Sequence, residues 1–171
     1  YRENTQRDFI LEGLNNADNN DLILISDVDE IPKLSSLNFN QIDDEIILFK
    51  QDMFYYKYNL ALPNFKWTGT KATKKNRLKS PQWLRNVKDK KYPFYRIDTM
   101  FSDKKYTNIK IIKDGGWHFT NIKTPKMIHH KLKSYLHHRE FDQASLSILE
   151  INELVEKKQA LYDLGADKRN N

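Results

Sequence analysis

The chain contains no cysteine, and only five of its 171 residues are glycine and five proline. Without Cys there is no disulfide, no thiolate zinc site and no cysteine nucleophile. So few glycines leave no room for a Gly-rich phosphate loop. Long apolar runs are also missing. The longest strongly apolar stretches, 22–25 and 46–49, are four residues each, against the roughly 20 that a membrane-spanning helix needs. No signal-peptide pattern is visible. Together with the absent Cys, this sets a cytoplasmic, reducing location as the expectation. The first residue is not Met, so the expectation is a piece of a longer protein.

What is present is enough for a folded domain. Hydrophobic residues make up 39% and charged residues 30%, outside the range of disordered chains. The length suits a single domain with a real core. The formal net charge is +6, and it is unevenly placed. Residues 64–113 hold 15 Lys or Arg against 3 Asp or Glu, a local +12, which leaves −6 for the rest. A basic middle between acidic flanks suits an anionic partner: phosphates, an acidic glycan, nucleic acid or a membrane surface. The plain alternative is a solvated, lysine-rich face, since Lys outnumbers Arg 22 to 7.

Periodicity gives a coarse order of elements. Residues 4–14 read as an amphipathic helix with Phe9, Ile10, Leu11 and Leu14 as its apolar positions. Residues 15–20 form a polar turn. Residues 21–27, DLILISD, read as a strand buried on both faces, ended by Pro32. Such a strand wants neighbours on both sides, so an open apolar sheet edge is expected there. Residues 45–50 and 53–58 read as two further strands joined by Gln51-Asp52. Ser80 is the expected N-cap of a short helix with Pro81 in its first position. Strands are expected around 110–112 and 117–120, on either side of Asp114-Gly115-Gly116. Helices are expected from Pro125 to about 138 and from 142 to 164, the second ended by Gly165. Helix, buried strand, more strands, then helices from about residue 124 is an α/β pattern.

The sharpest chemical signal is Ser26-Asp27-Val28-Asp29-Glu30, at the end of the buried strand. Alternate residues of an extended chain face the same way, so Asp27 and Asp29 can present carboxylates together. Two hard oxygen donors suit Mg²⁺ or Mn²⁺, with phosphate and water as further ligands. A cation would also relieve the repulsion among three acids in four residues. The plain alternative is an acidic turn capping a strand. Such a metal pair serves two chemistries. It can hold the diphosphate of a sugar nucleotide and stabilise it as it departs. Otherwise Asp27 is a phosphoryl-accepting nucleophile in a metal-dependent phosphatase or phosphotransferase. That pattern wants Thr or Val where Ile31 stands. A third possibility is a basic nucleic-acid-binding module, but it gives the acids no role.

Several further pieces occur in order along the chain. They are Arg2-Glu3 with Gln6-Arg7-Asp8, LILISDVDEIP over 22–32, Tyr55-Tyr56-Lys57-Tyr58-Asn59, Trp67-Thr68-Gly69, Ser80-Pro81-Gln82-Trp83-Leu84-Arg85, Gly115-Gly116-Trp117-His118-Phe119, Lys133-Ser134-Tyr135 and His138-Arg139-Glu140-Phe141. In these the chain resembles glycosyltransferase family 17 over nearly its whole length. The resemblance implies a GT-A-like nucleotide-sugar-binding sheet with flanking helices, forming one catalytic domain over 1–171. It implies inverting transfer of N-acetylglucosamine from UDP-GlcNAc to a glycan or glycoconjugate acceptor. Two departures stand out. Family members carry a further N-terminal section with the first strand of the sheet. The step around His137 and His138 also has one extra residue, so either histidine can be the equivalent.

The remaining site candidates follow from residue chemistry. Glu30 suits a general base for the acceptor hydroxyl, or a residue orienting a metal-bound water; otherwise it caps a turn. His118, just past a Gly-Gly turn, suits a third metal ligand or a phosphate contact. Trp117 suits stacking on a sugar face, against the commoner role of core residue. Arg7 and Arg85 suit bidentate phosphate binding, against a surface ion pair. His129, His130, His137 and His138 show no metal-ligand spacing and read as structural or surface residues. The expected partners are a nucleotide-sugar donor, a glycan acceptor and no nucleic acid. A membrane surface is a further partner that the basic segment suits.

Overall fold

A computed structural model describes residues 2–39, 42, 46–134 and 146–161. The fold is mixed α/β. In order it has α1 (Arg2–Asp8), β1 (Leu22–Ile25), β2 (Glu30–Pro32), β3 (Ile46–Tyr55), β4 (Ala61–Lys74), α2 (Pro81–Asn86), β5 (Ile109–Ile112), β6 (Gly116–Thr120), α3 (Pro125–Ser134) and α4 (Ile148–Glu156). Short 3-10 turns separate several of these. The chain forms two compact units, one of Tyr1–Asp52 with Asn64–His118, the other of Met53–Pro63 with Phe119–Asn171.

The first unit is built on a mixed sheet of order β1-β4-β3-β6-β2, with β5 alongside β3. β1 runs antiparallel to β4 and β2 antiparallel to β6, while β5 runs parallel to β3. The doubly buried strand is β3. Ile46 and Leu48 face one layer, with Ile23, Ile25, Leu84, Val87 and Ile109. Ile47 and Phe49 face the other, with Leu37, Ala72 and Ile112. β1 was expected to be buried on both faces. Its Ile23 and Ile25 are buried, but Leu22 and Leu24 are only half-buried. The cause is position: β1 is the last strand in the order and, among the described residues, bonds only to β4. The expected open edge is therefore present at 22–25.

Other local expectations change in instructive ways. The 4–14 helix is α1 followed by a 3-10 turn over Phe9–Leu14, where Phe9, Ile10 and Leu11 are exposed. The two strands expected at 45–50 and 53–58 are one strand of ten residues, β3. Gln51 does not turn the chain. It is fully buried within the strand, and its amide donates to Thr70 Oγ1 at 3.2 Å. Ser80 caps α2 as its sequence suggests, accepting from Trp83 N at 3.0 Å.

In the second unit Ile128, Leu132 and Ile151 of the two helices are buried. Ser147 and Glu150 make a reciprocal capping box that starts α4, so that helix begins later than residue 142 and ends at Glu156. The ring of Phe119 lies against Phe54 and Tyr58. The Tyr55 hydroxyl accepts from Asn121 Nδ2 at 3.0 Å and from Leu161 N at 3.3 Å. The candidates His137 and His138 and the Gly165 stop lie outside the described residues.

Candidate functional site

The acidic stretch is a tight turn between two strands, not an extended segment. Glu30 N donates to Asp27 O at 3.0 Å, closing residues 27–30. Ser26 Oγ braces it, donating to Glu30 O at 2.9 Å and lying 2.6 Å from Thr70 Oγ1. The turn explains why Asp27 and Asp29 do not share one direction. Alternation holds only along extended backbone, and Val28 at the tip is fully exposed.

Asp27 and Glu30 both meet arginine, Glu30 from within the fold and Asp27 at its surface. Arg85, in the last turn of α2, donates through Nη2 to Asp27 Oδ2 at 2.7 Å and to Glu30 Oε1 at 3.2 Å. Its Nη1 donates to Glu30 Oε2 at 3.1 Å and to Gly69 O at 2.7 Å. This is the forked pairing that a planar guanidinium makes with a carboxylate. Arg7 of α1 lies 3.5 Å from the other oxygen of Asp27 and donates to Gln82 at 2.6 Å. Two carboxylates thus meet two guanidinium groups. The repulsion that seemed to call for a metal is relieved by the protein's own cations.

The Glu30 carboxylate is enclosed, with a side chain only 1% exposed. Besides Arg85, it accepts from Asp27 N at 3.0 Å and from Trp67 Nε1 at 2.9 Å. Both oxygens are engaged and closed off from solvent, an arrangement that does not suit the accessible base expected at Glu30. Gly69 makes this possible. A Cβ there would lie 2.7 Å from the Glu30 carboxyl carbon and 2.0 Å from Gln51 Oε1. Behind the cluster, buried Lys71 donates to the carbonyls of Arg85 and Val87 and so fixes the C-terminal end of α2. Burial, and then the adjacent Arg85 charge, pull its pKa down to about 8.

Asp29 turns the other way, toward β6. The register sets Glu30 opposite His118, and His118 Nε2 lies 3.4 Å from Asp29 Oδ2. Residues 89 apart in the sequence therefore meet, as their shared chemistry suggested. The indole of Trp67 lies 5.1 Å from the imidazole and so touches both Glu30 and His118. His118 Nδ1 is buried without a hydrogen-bond partner. Gly116 permits the close pairing of β2 and β6: it sits at φ 114°, and a Cβ there would lie 2.1 Å from Ile31 O.

Trp117 does not join this group. It pairs with Ile31 in the register, on the face opposite Glu30 and His118, and is half-exposed. Trp67, not Trp117, is the indole that lies against Glu30 and His118. Its signal was available, in Trp67-Thr68-Gly69, but nothing local showed that a long strand would carry it to the acidic turn.

The metal expectation can be tested against these contacts. Asp29 and His118 are oxygen and imidazole donors close enough to share a divalent cation completed by water and phosphate. Asp27 as arranged is not a partner for them, since guanidinium groups hold both its oxygens. No group of three or more His, Cys, Asp or Glu able to hold a metal occurs among the described residues. No described helix is long and apolar enough to cross a membrane. Against protein-family models, curated proteins and solved structures, the chain shows no match.

Proposed function

We propose that this chain is the catalytic part of an inverting glycosyltransferase with a GT-A-like sheet, similar to family 17. It would transfer a sugar, N-acetylglucosamine from UDP-GlcNAc, to a glycan or glycoconjugate acceptor. The observation that carries the reading is the meeting of SDVDEIP and GGWHF, the two most specific pieces of the resemblance. Their meeting point is the Asp29–His118 contact of 3.4 Å.

The roles divide within the turn. Asp29 and His118 are the residues that would hold a Mn²⁺ or Mg²⁺ ion. Such an ion would supply positive charge against the nucleoside diphosphate. Arg85 and Glu30 hold the turn rigid, which keeps Asp29 aimed at His118. The Asp27 carboxylate, tied to both arginines, suits this positioning role better than that of a phosphoryl-accepting nucleophile.

The test is UDP release from the intact protein with Mn²⁺ and a panel of UDP-sugars. UDP-GlcNAc should be turned over, and Asp29→Asn and His118→Ala should each lose most of that turnover while melting near the parent temperature. No release from any donor, or full activity in Asp29→Asn, would overturn the reading.

A further inference from the structure

Residues 88–105 take no part in the acidic-turn cluster, yet they form a defined structure of their own. The base is pinned twice: Lys88 N donates to Lys104 O at 2.7 Å, and Tyr92 N to Tyr106 O at 3.3 Å. Tyr92 is buried there, ringed by the cations of Lys90, Arg96 and Lys105 at 5.4 to 5.8 Å from its centre. Above it the backbone closes on itself through Arg96 N to Pro93 O, Thr99 N to Arg96 O and Met100 N to Ile97 O. The loop is ordered without using its large apolar side chains.

Those side chains point into water. Phe94 is 90% exposed, Phe101 86%, Met100 81%, and Tyr95 and Ile97 71% each. Five such residues fall within the eight of 94–101, with the Phe94 and Tyr95 rings in contact at 5.7 Å, a density of exposed apolar side chains that marks an interaction site. Their surroundings are cationic. Each acid of the segment is already neutralised: Asp89 by Lys50, Asp103 by Lys79, and Asp98 by Arg96 and Lys105. Lys88, Lys90, Lys91 and Lys104 have no acidic partner among the described residues. A shallow, open depression lies between Lys91, Phe94 and Asn108.

We propose that this loop is an interfacial anchor that seats the protein on an anionic lipid bilayer. Phe94, Ile97, Met100 and Phe101 enter the headgroup and upper acyl region, while the unpaired lysines meet lipid phosphates. Aromatic and aliphatic side chains rimmed by lysine are the composition of an interfacial segment. A glycan would use the aromatic faces but leave Ile97, Met100 and the lysines without a role. Nucleic acid would use the lysines but not the aliphatic groups. A second copy docked through the same patch would set four uncompensated lysines against four more. The proposal is independent of the assignment made for the acidic turn.

The test is flotation of the 171-residue chain with vesicles of phosphatidylcholine alone or of phosphatidylcholine and phosphatidylglycerol in equal parts. Binding should require the anionic lipid and weaken as salt rises. The double variant Phe94→Ser/Phe101→Ser should bind about tenfold less. Lys90→Gln, Lys91→Gln and Lys104→Gln should each cost about fivefold. All five positions are exposed, so the variants should keep the parent circular dichroism and melting temperature. Three results would each overturn the proposal: no binding to either vesicle, equal binding to both, or serine variants that bind like the parent. So would a dimer, or an oligonucleotide complex, that the serine variants abolish while no vesicle binding is seen.

Discussion

The three acids of one turn differ more than their sequence suggests. Glu30 is closed in by Arg85, Trp67 and the turn's own backbone, with a side chain 1% exposed, and Asp27, 42% exposed, is tied to Arg7 and Arg85. Asp29, between them, is about as exposed as Asp27, at 37%, and meets His118. The lesson concerns what a row of acids does in a fold. The two acids held by arginine are matched charge for charge and hold shape. Asp29, beside His118, is the acid for which we propose a ligand. Stability should therefore track the arginine-bound pair and, on the proposed reading, binding should track Asp29, and each substitution below tests that split.

The largest effect on stability should come from Arg85→Met. Removing the guanidinium leaves Glu30 buried without its counter-charge, which typically costs about 3 to 5 kcal/mol. Urea denaturation measures it. A loss under about 1 kcal/mol would mean that the arginine-bound pair is no keystone. Lys71 gives a pH-dependent test of the same scaffold. Its folded pKa, about 8, lies below the ordinary 10.5. Between those values the unfolded chain binds the extra proton, so stability should rise with pH through that window. The full rise is up to about 3 kcal/mol. Lys71→Met should remove this slope, and parallel denaturation curves of parent and variant at several pH values would show it.

Gly69→Ala should cost about 1 to 3 kcal/mol, because its Cβ collides with Gln51 and the Glu30 carboxyl. Thermal melting checks it, and Gly13→Ala serves as control, since nothing lies within 4 Å of a Cβ there. Ser80→Ala should cost about 1 kcal/mol through the lost cap of α2, with some loosening of Arg85. Asp29→Asn should be the mildest change, within about 0.5 kcal/mol. Calorimetry should nonetheless show Mn²⁺ binding lost. A variant that melts far below the parent would place Asp29 with the arginine-bound pair as a structural acid and end the contrast.

Much of the fold could be read from local pattern. The cap at Ser80, the strands around Gly115-Gly116 and the apolar strand at 22–25 depend on neighbours within a few residues, and all are present. Local pattern misled where a buried polar residue mimicked a turn. Gln51-Asp52 reads as a break, but Thr70 on the adjoining strand accepts from the Gln51 amide, and β3 runs through. Pattern also misassigned the two-sided burial. LILI and IILF are equivalent as strings, and only strand order puts the second in the centre and the first at the edge.

For the candidate site, sequence alone singled out the residue types: three acids in a row of four, two of the few arginines, and a histidine after paired glycines. It could not determine which acid faces which cation. The turn at 27–30 replaced the assumed extended geometry, and one residue of register separates Trp117 from His118 across the sheet. Tertiary structure decided these points because charge pairing acts through space. Arg7 and Arg85 reach Asp27 from two different helices, and Trp67 reaches Glu30 from the middle of a fourteen-residue strand.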